Sequence, residues 1–428
     1  MWSATAWGQT DYIVLQGRVT SDGGGVPYAS LMLSGTTVGV SCNDNGDYEL
    51  KLREEHAGDT VVVRSVGYET VRVPVAALRK NGRVRMKRHL TMLREVKVKS
   101  YRNGRQLLQA VVSRIDSNYH RGTAYSTFFY RDWRAIDGEM FLFDEAVMYL
   151  QRAGYQKYAR KRSYKFDPTQ REMATNYKTV VRHRLVVNDR GCLEGVLDDP
   201  KGIDEMMEFS DNESFFDPVA TPQASYAMAR NVLGWHKFEP LREFESDGTW
   251  YYSVRSEGPC HMKGVKVRYE WTIRKDNLAI ERLTAAVTPS VCTAPAEAWV
   301  NGDLTHRRVV LDTSAWVYSR LDGAYTLTRY YHSGDFTLGR KTRREYQAAQ
   351  HWQMTTEWTL TGFSVQADTT VRGVVLQTRP QTLAGAFGES DYTSHFWGPY
   401  NSIVLDTLPA RLLTEKMEAV RRKTNKTN

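Results

Sequence analysis

Three residues could do chemistry together if the fold brought them close. His236 and Glu239 stand in an H-x-x-E arrangement, and His351 is a distant third group. On one helical face the first pair could ligate zinc, and a second histidine would complete a set able to polarise a peptide carbonyl. The neighbours argue otherwise. Pro240 directly follows Glu239, which disfavours a helix at this point. The flanking segments read as antiparallel hairpins, and among ten histidines one such spacing is expected by coincidence. The sequence carries no G-x-S-x-G, H-E-x-x-H, P-loop or G-x-G-x-x-G motif. No catalytic, cofactor-binding or metal-ligating residue is assigned, and the expectation is a protein that is not an enzyme.

Two further sets of residues bear on metals and redox state. Asp198, Asp199, Asp204, Glu205, Glu208, Asp211, Glu213 and Asp217 crowd into one segment. Hard cations take clustered carboxylates, so calcium is the ion to weigh. The EF-hand spacing is missing, and the segment reads as a solvated loop with a short helix. Cys42, Cys192, Cys260 and Cys292 form no C-x-x-C pair, which argues against structural zinc. Cys260 and Cys292 lie just beyond the ends of a hairpin spanning 265–275 and 278–287. Their register leaves a disulfide open, because the apolar phase slips around Glu281-Arg282 in the manner of a bulge.

The elements that would position these residues are mostly strands. Over 11–90, short apolar runs at 12–19, 28–33, 37–41, 48–52, 60–66, 69–73 and 84–87 alternate with Gly, Asn and Asp turns. That pattern predicts a β-sandwich of seven strands, with Asn45-Gly46 as a tight hairpin turn. Gly17-Arg18-Val19, Val26-Pro27-Tyr28-Ala29-Ser30, Gly35-Thr36, Asp44-Asn45-Gly46-Asp47-Tyr48 and Val66-Gly67-Tyr68-Glu69 follow in order. In these motifs the segment 11–98 resembles the carboxypeptidase regulatory-like domain. Leu93-Arg94-Glu95-Val96-Lys97-Val98 resembles the stretch that follows this domain in Gram-negative envelope proteins. The resemblance implies a transthyretin-like sandwich with no catalysis of its own.

A polar link is expected over 91–100, then a helix over 101–119. There Leu107, Leu108, Val111, Val112 and Ile115 share one face. Segments 125–136 and 139–150 flank Asp137-Gly138, a two-residue hairpin turn that would set Arg131 opposite Asp144. Asn118-Tyr119, Phe129-Tyr130-Arg131-Asp132, Glu145-Ala146-Val147 and the late Phe396-Trp397-Gly398-Pro399-Tyr400-Asn401 resemble blocks of the same envelope proteins. Val265, Val267, Tyr269, Trp271 and Ile273 alternate with polar residues, as do Trp352, Met354, Thr356, Trp358 and Leu360. Asp322-Gly323 marks another hairpin between 315–321 and 324–331. Together these predict a large curved antiparallel sheet over 101–410 with one principal helix. A short helix within 409–422 and a disordered 423–428 complete the chain. The order of elements resembles, at fold level, the half-barrel of lipoprotein carriers.

Lys and Arg exceed Asp and Glu by 58 to 49, giving +9 over 428 residues. The basic clusters at 79–88, 157–165, 340–344 and 421–426 are scattered and carry no nucleic-acid-binding signature, so a solvated basic surface is expected. Apolar runs fall far short of the roughly 20 residues of a membrane helix. Ala4-Thr5-Ala6 and Gly8-Gln9 resemble the cleavage end of a secretory signal, so 1–10 reads as a signal remnant or a frayed end. The expected location is the periplasm or the outer-membrane surface. The function expected is a non-catalytic envelope protein that binds a protein or glycan partner. A carrier of a lipid or acyl chain in the concave sheet is the alternative. An outer-membrane β-barrel and a zinc carboxypeptidase rank below both.

Overall fold

In a computed structural model, the structure describes residues 12–89, 91–95, 101–152, 154–155, 177–189, 217–220, 228, 234–259, 266–287, 296–300, 303–340, 350–376 and 396–427. The chain divides into two compact units. The first comprises Met1–His89 with Ser394–Thr407, and the second Leu90–Thr393 with Leu408–Asn428.

The first unit is a β-sandwich of two four-stranded sheets. One holds β1 (Tyr12–Ser21), β2 (Gly24–Gly25), β5 (Asp47–Arg53) and β8 (Arg83–Arg85); the other holds β3 (Ser30–Leu33), β4 (Gly39–Ser41), β6 (Thr60–Arg64) and β7 (Val71–Pro74). The count exceeds the expected seven by the two-residue β2. Alternation places Leu15, Leu31, Leu50, Val61 and Val63 in a dry core. The short helix α1 (Val75–Lys80) adds Val75 and Leu78 to it. Gly17 is required by close packing, since a Cβ there would lie 1.8 Å from the Gly82 carbonyl oxygen. The Asn45-Gly46 turn forms, with Gly46 at φ 82°, but it joins β4 to β5 in opposite sheets and is not a hairpin. Asn43 fixes this corner, its Oδ1 accepting from the N–H groups of Asn45 and Asp47 at 3.0 and 2.8 Å.

The late motif around Trp397 belongs to this sandwich. The Asn401 side-chain amide accepts from Lys51 N–H at 2.7 Å and donates to Lys51 C=O at 3.2 Å, as a neighbouring strand would. Asn43 Nδ2 donates to the Leu405 carbonyl at 3.1 Å, and Asp44 N–H donates to Asp406 Oδ1 at 2.8 Å.

The second unit is a curved sheet of fourteen described strands whose described pairings are all antiparallel. Its first meander is β10 (Ala124–Ile136), β11 (Glu139–Arg152) and β12 (Tyr177–Asn188). A second runs through β14 (Arg242–Ser246), β15 (Thr249–Pro259), β16 (Lys266–Arg274), β17 (Ile280–Val287), β19 (Asp303–Leu321), β20 (Ala324–Arg340) and β21 (Gln350–Ser364). The pairing of β10 with β21 joins them. Strand β9 (Thr91–Glu95), expected within the polar link, pairs with β14 at one end of the sheet, and β22 (Val374–Leu376) lies at the other. The short strands β13 (Lys237–Phe238) and β18 (Ala296–Val300) pair with β15 and β19.

Asp137-Gly138 and Asp322-Gly323 turn as expected, with φ of 50° and 83°, and 49° and 81°. The predicted bulge is present at Glu281, between Thr272↔Arg282 and Ile273↔Ile280. The expected facing of Arg131 and Asp144 is corrected. Ile136 pairs with Glu139, but Phe141 bulges, so Arg131 faces Glu145 and Asp132 faces Asp144. The helix expected over 101–119 is two: α2 (Gly104–Ser113), capped by Asn103 Oδ1 on Gln106 N–H at 3.0 Å, and α3 (Ile115–Asn118). The longest described helix is α4 (Thr407–Thr427), which also replaces the disorder expected at 423–427. Its Leu412 and Leu413 are buried, whereas Val420 is exposed. Cys42 is buried and outside any disulfide; Cys192, Cys260 and Cys292 lie outside the described residues.

Candidate functional site

The H-x-x-E residues do not converge. His236 is buried just before β13, with Nδ1 3.0 Å from Ser256 Oγ and its ring stacked on Tyr269. Burial lowers its pKa, which keeps the imidazole neutral. Glu239 is directed to Arg242 at 3.8 Å. His351 lies on β21, at the far side of β15, β16, β17, β19 and β20 in the sheet order, and pairs with Asp335 at 2.7 Å. Among the described residues no three His, Cys, Asp or Glu side chains are grouped to hold a metal ion.

Of the acidic segment, Asp217 is described. It is a buried hub: Arg152 Nη2 lies at 3.0 Å, and the hydroxyls of Tyr155 and Tyr318 donate to it at 2.7 and 2.8 Å. Val219 and Ala220 N–H groups also donate to it. Its carboxylate is therefore satisfied by protein donors, a structural role. The rest of the segment lies outside the described residues.

The centre of the large sheet holds charge where patterning alone would place apolar side chains. Arg184, Glu145, Arg131 and Glu357 face one another across β12, β11, β10 and β21. Arg184 Nε donates to Glu145 Oε2 at 2.9 Å, and Arg131 bridges Glu145 at 2.7 Å and Glu357 at 3.0 Å. Arg329 of β20 extends the row, 3.5 Å from Glu357. All five are buried, Glu145 with 0% exposure. On the opposite face His183 Nε2 lies 2.6 Å from Asp144, while Asp132 pairs with Arg134 and accepts from Thr356. Burial raises the pKa of Asp144, against the pull of His183.

An open hollow at two turns of the second unit is of another kind. The β14–β15 turn at Asp247-Gly248 and the β16–β17 turn at Lys275–Asn277 together border a hollow of about 470 Å³. Trp250 stands in it, 49% exposed. Lys275 Nζ lies 5.3 Å from the Trp250 ring and 5.2 Å from the Tyr252 ring, and is anchored by Glu243 at 2.7 Å. Arg274 grips Asp276 through two nitrogens at 2.6 and 3.0 Å and reaches Glu281 at 3.2 Å. The Arg274 hydrogen bond holds the Asp276 carboxyl below its ordinary pKa, and the same contact raises that of Arg274. The result is an aromatic ring held beside paired donors and acceptors, in a hollow whose volume falls in the ligand-cleft range of about 300–1,000 Å³.

Residues 15–98 match the CarboxypepD_reg-like domain family. The match covers about a fifth of the chain, and domains of this family are non-catalytic. It takes in the sandwich together with β9, the edge strand of the second unit's sheet. Comparison with curated proteins gives no match. Among solved structures, a DUF1329 family protein from Desulfovibrio piger aligns at 12% identity over 62% of this chain and 93% of that one, with a TM-score of 0.23. A putative membrane-associated protein of unknown function from Bacteroides fragilis aligns at 10% identity over 82% and 98%, with a TM-score of 0.13.

Sequence reasoning did not single out Trp250, Lys275 or Asp276 as a site. Asp247-Gly248 carries the same turn signal as Asp137-Gly138, with φ of 49° and 76°, and would have located the hairpin. The apposition of two hairpin ends has no local signature. Among the described residues no helix is long and apolar enough to cross a membrane.

Proposed function

We propose that this is a non-catalytic cell-envelope protein that holds a partner, protein or glycan, on its large sheet. The observation that carries the reading is the half-exposed Trp250 in a hollow of paired charges. An exposed aromatic among polar groups is what a recognition surface presents. The CarboxypepD_reg-like domain supports a non-catalytic role. The envelope location rests on the signal-like Ala4–Ala6 stretch and on the resemblance of the blocks around Arg131 and Trp397. An apolar-ligand carrier calls for a greasy concavity. The hollow at Trp250 sets four charged side chains beside the ring, and ion pairs run through the centre of the sheet. Fractionation of source cells, with crosslinking from position 250, tests the reading. Recovery with the envelope and a crosslinked envelope partner is expected; a cytosolic protein without crosslinks overturns it.

A further inference from the structure

We infer that the hollow beside Trp250 is a binding site for a neutral glycan, an inference that rests on the partner-binding reading and gives it a ligand class. Three observations carry it. The first is the ring. Trp250 is on β15, held from one side by the Lys275 ammonium, and remains half exposed. A fixed, amphipathic aromatic surface stacks on the C–H face of a sugar ring at little entropic cost, because little side-chain freedom remains to be lost.

The second is the polar lining. Glu243 and Asp276 supply acceptors, while Arg274 and Lys275 supply donors, all within the same hollow. Vicinal hydroxyls donate and accept together, and carboxylate–guanidinium and carboxylate–ammonium pairs offer both halves. The pairs are already formed, Lys275 with Glu243 at 2.7 Å and Arg274 with Asp276 at 2.6 Å. The donor and acceptor geometry is thus set before a ligand arrives.

The third is charge balance. Two acids oppose two bases in the lining, and Asp247 and Glu281 stand beside them. A phosphate, sulfate or uronate would meet two carboxylates, and the two cations of the lining are each already paired with one of them. A neutral polyhydroxylated ligand meets no such penalty. This separates the hollow from the chain as a whole, whose net charge of +9 attracts anions without specificity.

Native gels cast with soluble neutral polysaccharides (mannan, dextran and a mixed-linkage β-glucan), with full-length protein, test the site. At least one should slow the wild-type chain. Trp250→Ala should weaken that interaction by about tenfold or more, the scale of a lost aromatic anchor. Trp250→Phe should restore part of it. Trp235→Ala, at a more exposed tryptophan outside the hollow, should leave it unchanged. Circular dichroism and melting of each variant separate binding from folding. Dextran sulfate should retard wild type and Trp250→Ala alike. The inference is overturned if no neutral polysaccharide slows the protein, if Trp250→Ala is retarded as wild type, or if retardation by dextran sulfate depends on Trp250. Capture of a protein through position 250 without neutral-glycan retardation would leave the partner-binding reading intact and remove the glycan.

Discussion

The interior of the first unit's sandwich and the central strands of the second unit are both closed to solvent, yet they hold opposite chemistries. Leu15, Leu31, Leu50 and Val63 make a dry apolar layer in the first. In the second, Arg131, Asp132, Arg134, Asp144, Glu145, Arg184 and Glu357 are equally inaccessible. An apolar core tolerates small shifts in partner, because dispersion and water exclusion are non-directional. An ion row does not, since each carboxylate needs its guanidinium at hydrogen-bond distance. The bulge at Phe141 matters for this reason: it puts Glu145, and not Asp144, opposite Arg131. The two regions teach that burial is a property of position in the sheet, whereas apolarity is only the commoner way to fill it. We expect the ion row to favour one strand register, as buried polar groups do in some other folds.

The contrast can be broken at its strongest point. Arg131→Ala leaves Glu145 and Glu357 short of their bridging cation and should cost about 3–5 kcal/mol in denaturant unfolding. A loss under about 1 kcal/mol would show that water reaches the row. In the sandwich, Leu50→Ala removes a fully buried side chain and should cost about 3 kcal/mol, with no dependence on pH between neutrality and mild acid. A pH-dependent loss there would mean the two cores are less distinct than their composition. Asn401→Ala strips Lys51 of partners for both its N–H and its C=O and should cost about 1–2 kcal/mol. Thermal melts of the variant beside wild type read this, and an unchanged Tm would rule out a structural role for that amide.

The smallest effect expected is a titration. Partial desolvation, with the adjacent Asp406 carboxylate, raises Asp44 to about 6. A folded pKa above the unfolded one means that stability is fully present below about pH 4 and is lost as pH rises through about 6. Asp44 is largely open to solvent, so screening reduces the effect to about 1 kcal/mol or less. Asp44→Asn should flatten the pH dependence of Tm between pH 4 and pH 7 by that amount. Identical profiles for variant and wild type would dismiss the carboxyl pair.

Much of the fold was legible. The strands of the sandwich, the Asp-Gly turns, the bulge at Glu281 and the apolar face of Leu107, Leu108 and Val111 all follow from local rules. The motif residues Arg131, Asp132 and Glu145 were also visible as a resemblance, but not as members of a buried row. Their partners Arg184, Glu357 and Arg329 come from β12, β21 and β20. The hollow at Trp250 was not legible, because neither of its two hairpin ends is a site alone.

The sequence by itself determined where the chain turns and which short stretches become strands. Steric preference at Gly138 or Gly323, period-two alternation, and side-chain capping at Asn103 act over a few residues. The tertiary structure alone decided which charges are buried, and with whom. It also decided that Asn401 would serve Lys51 as a strand neighbour, and that two turns far apart in sequence would border one hollow at Trp250. Those outcomes depend on desolvation and on pairing between segments far apart in sequence. No local pattern encodes a partner that the chain meets only when the sheet closes.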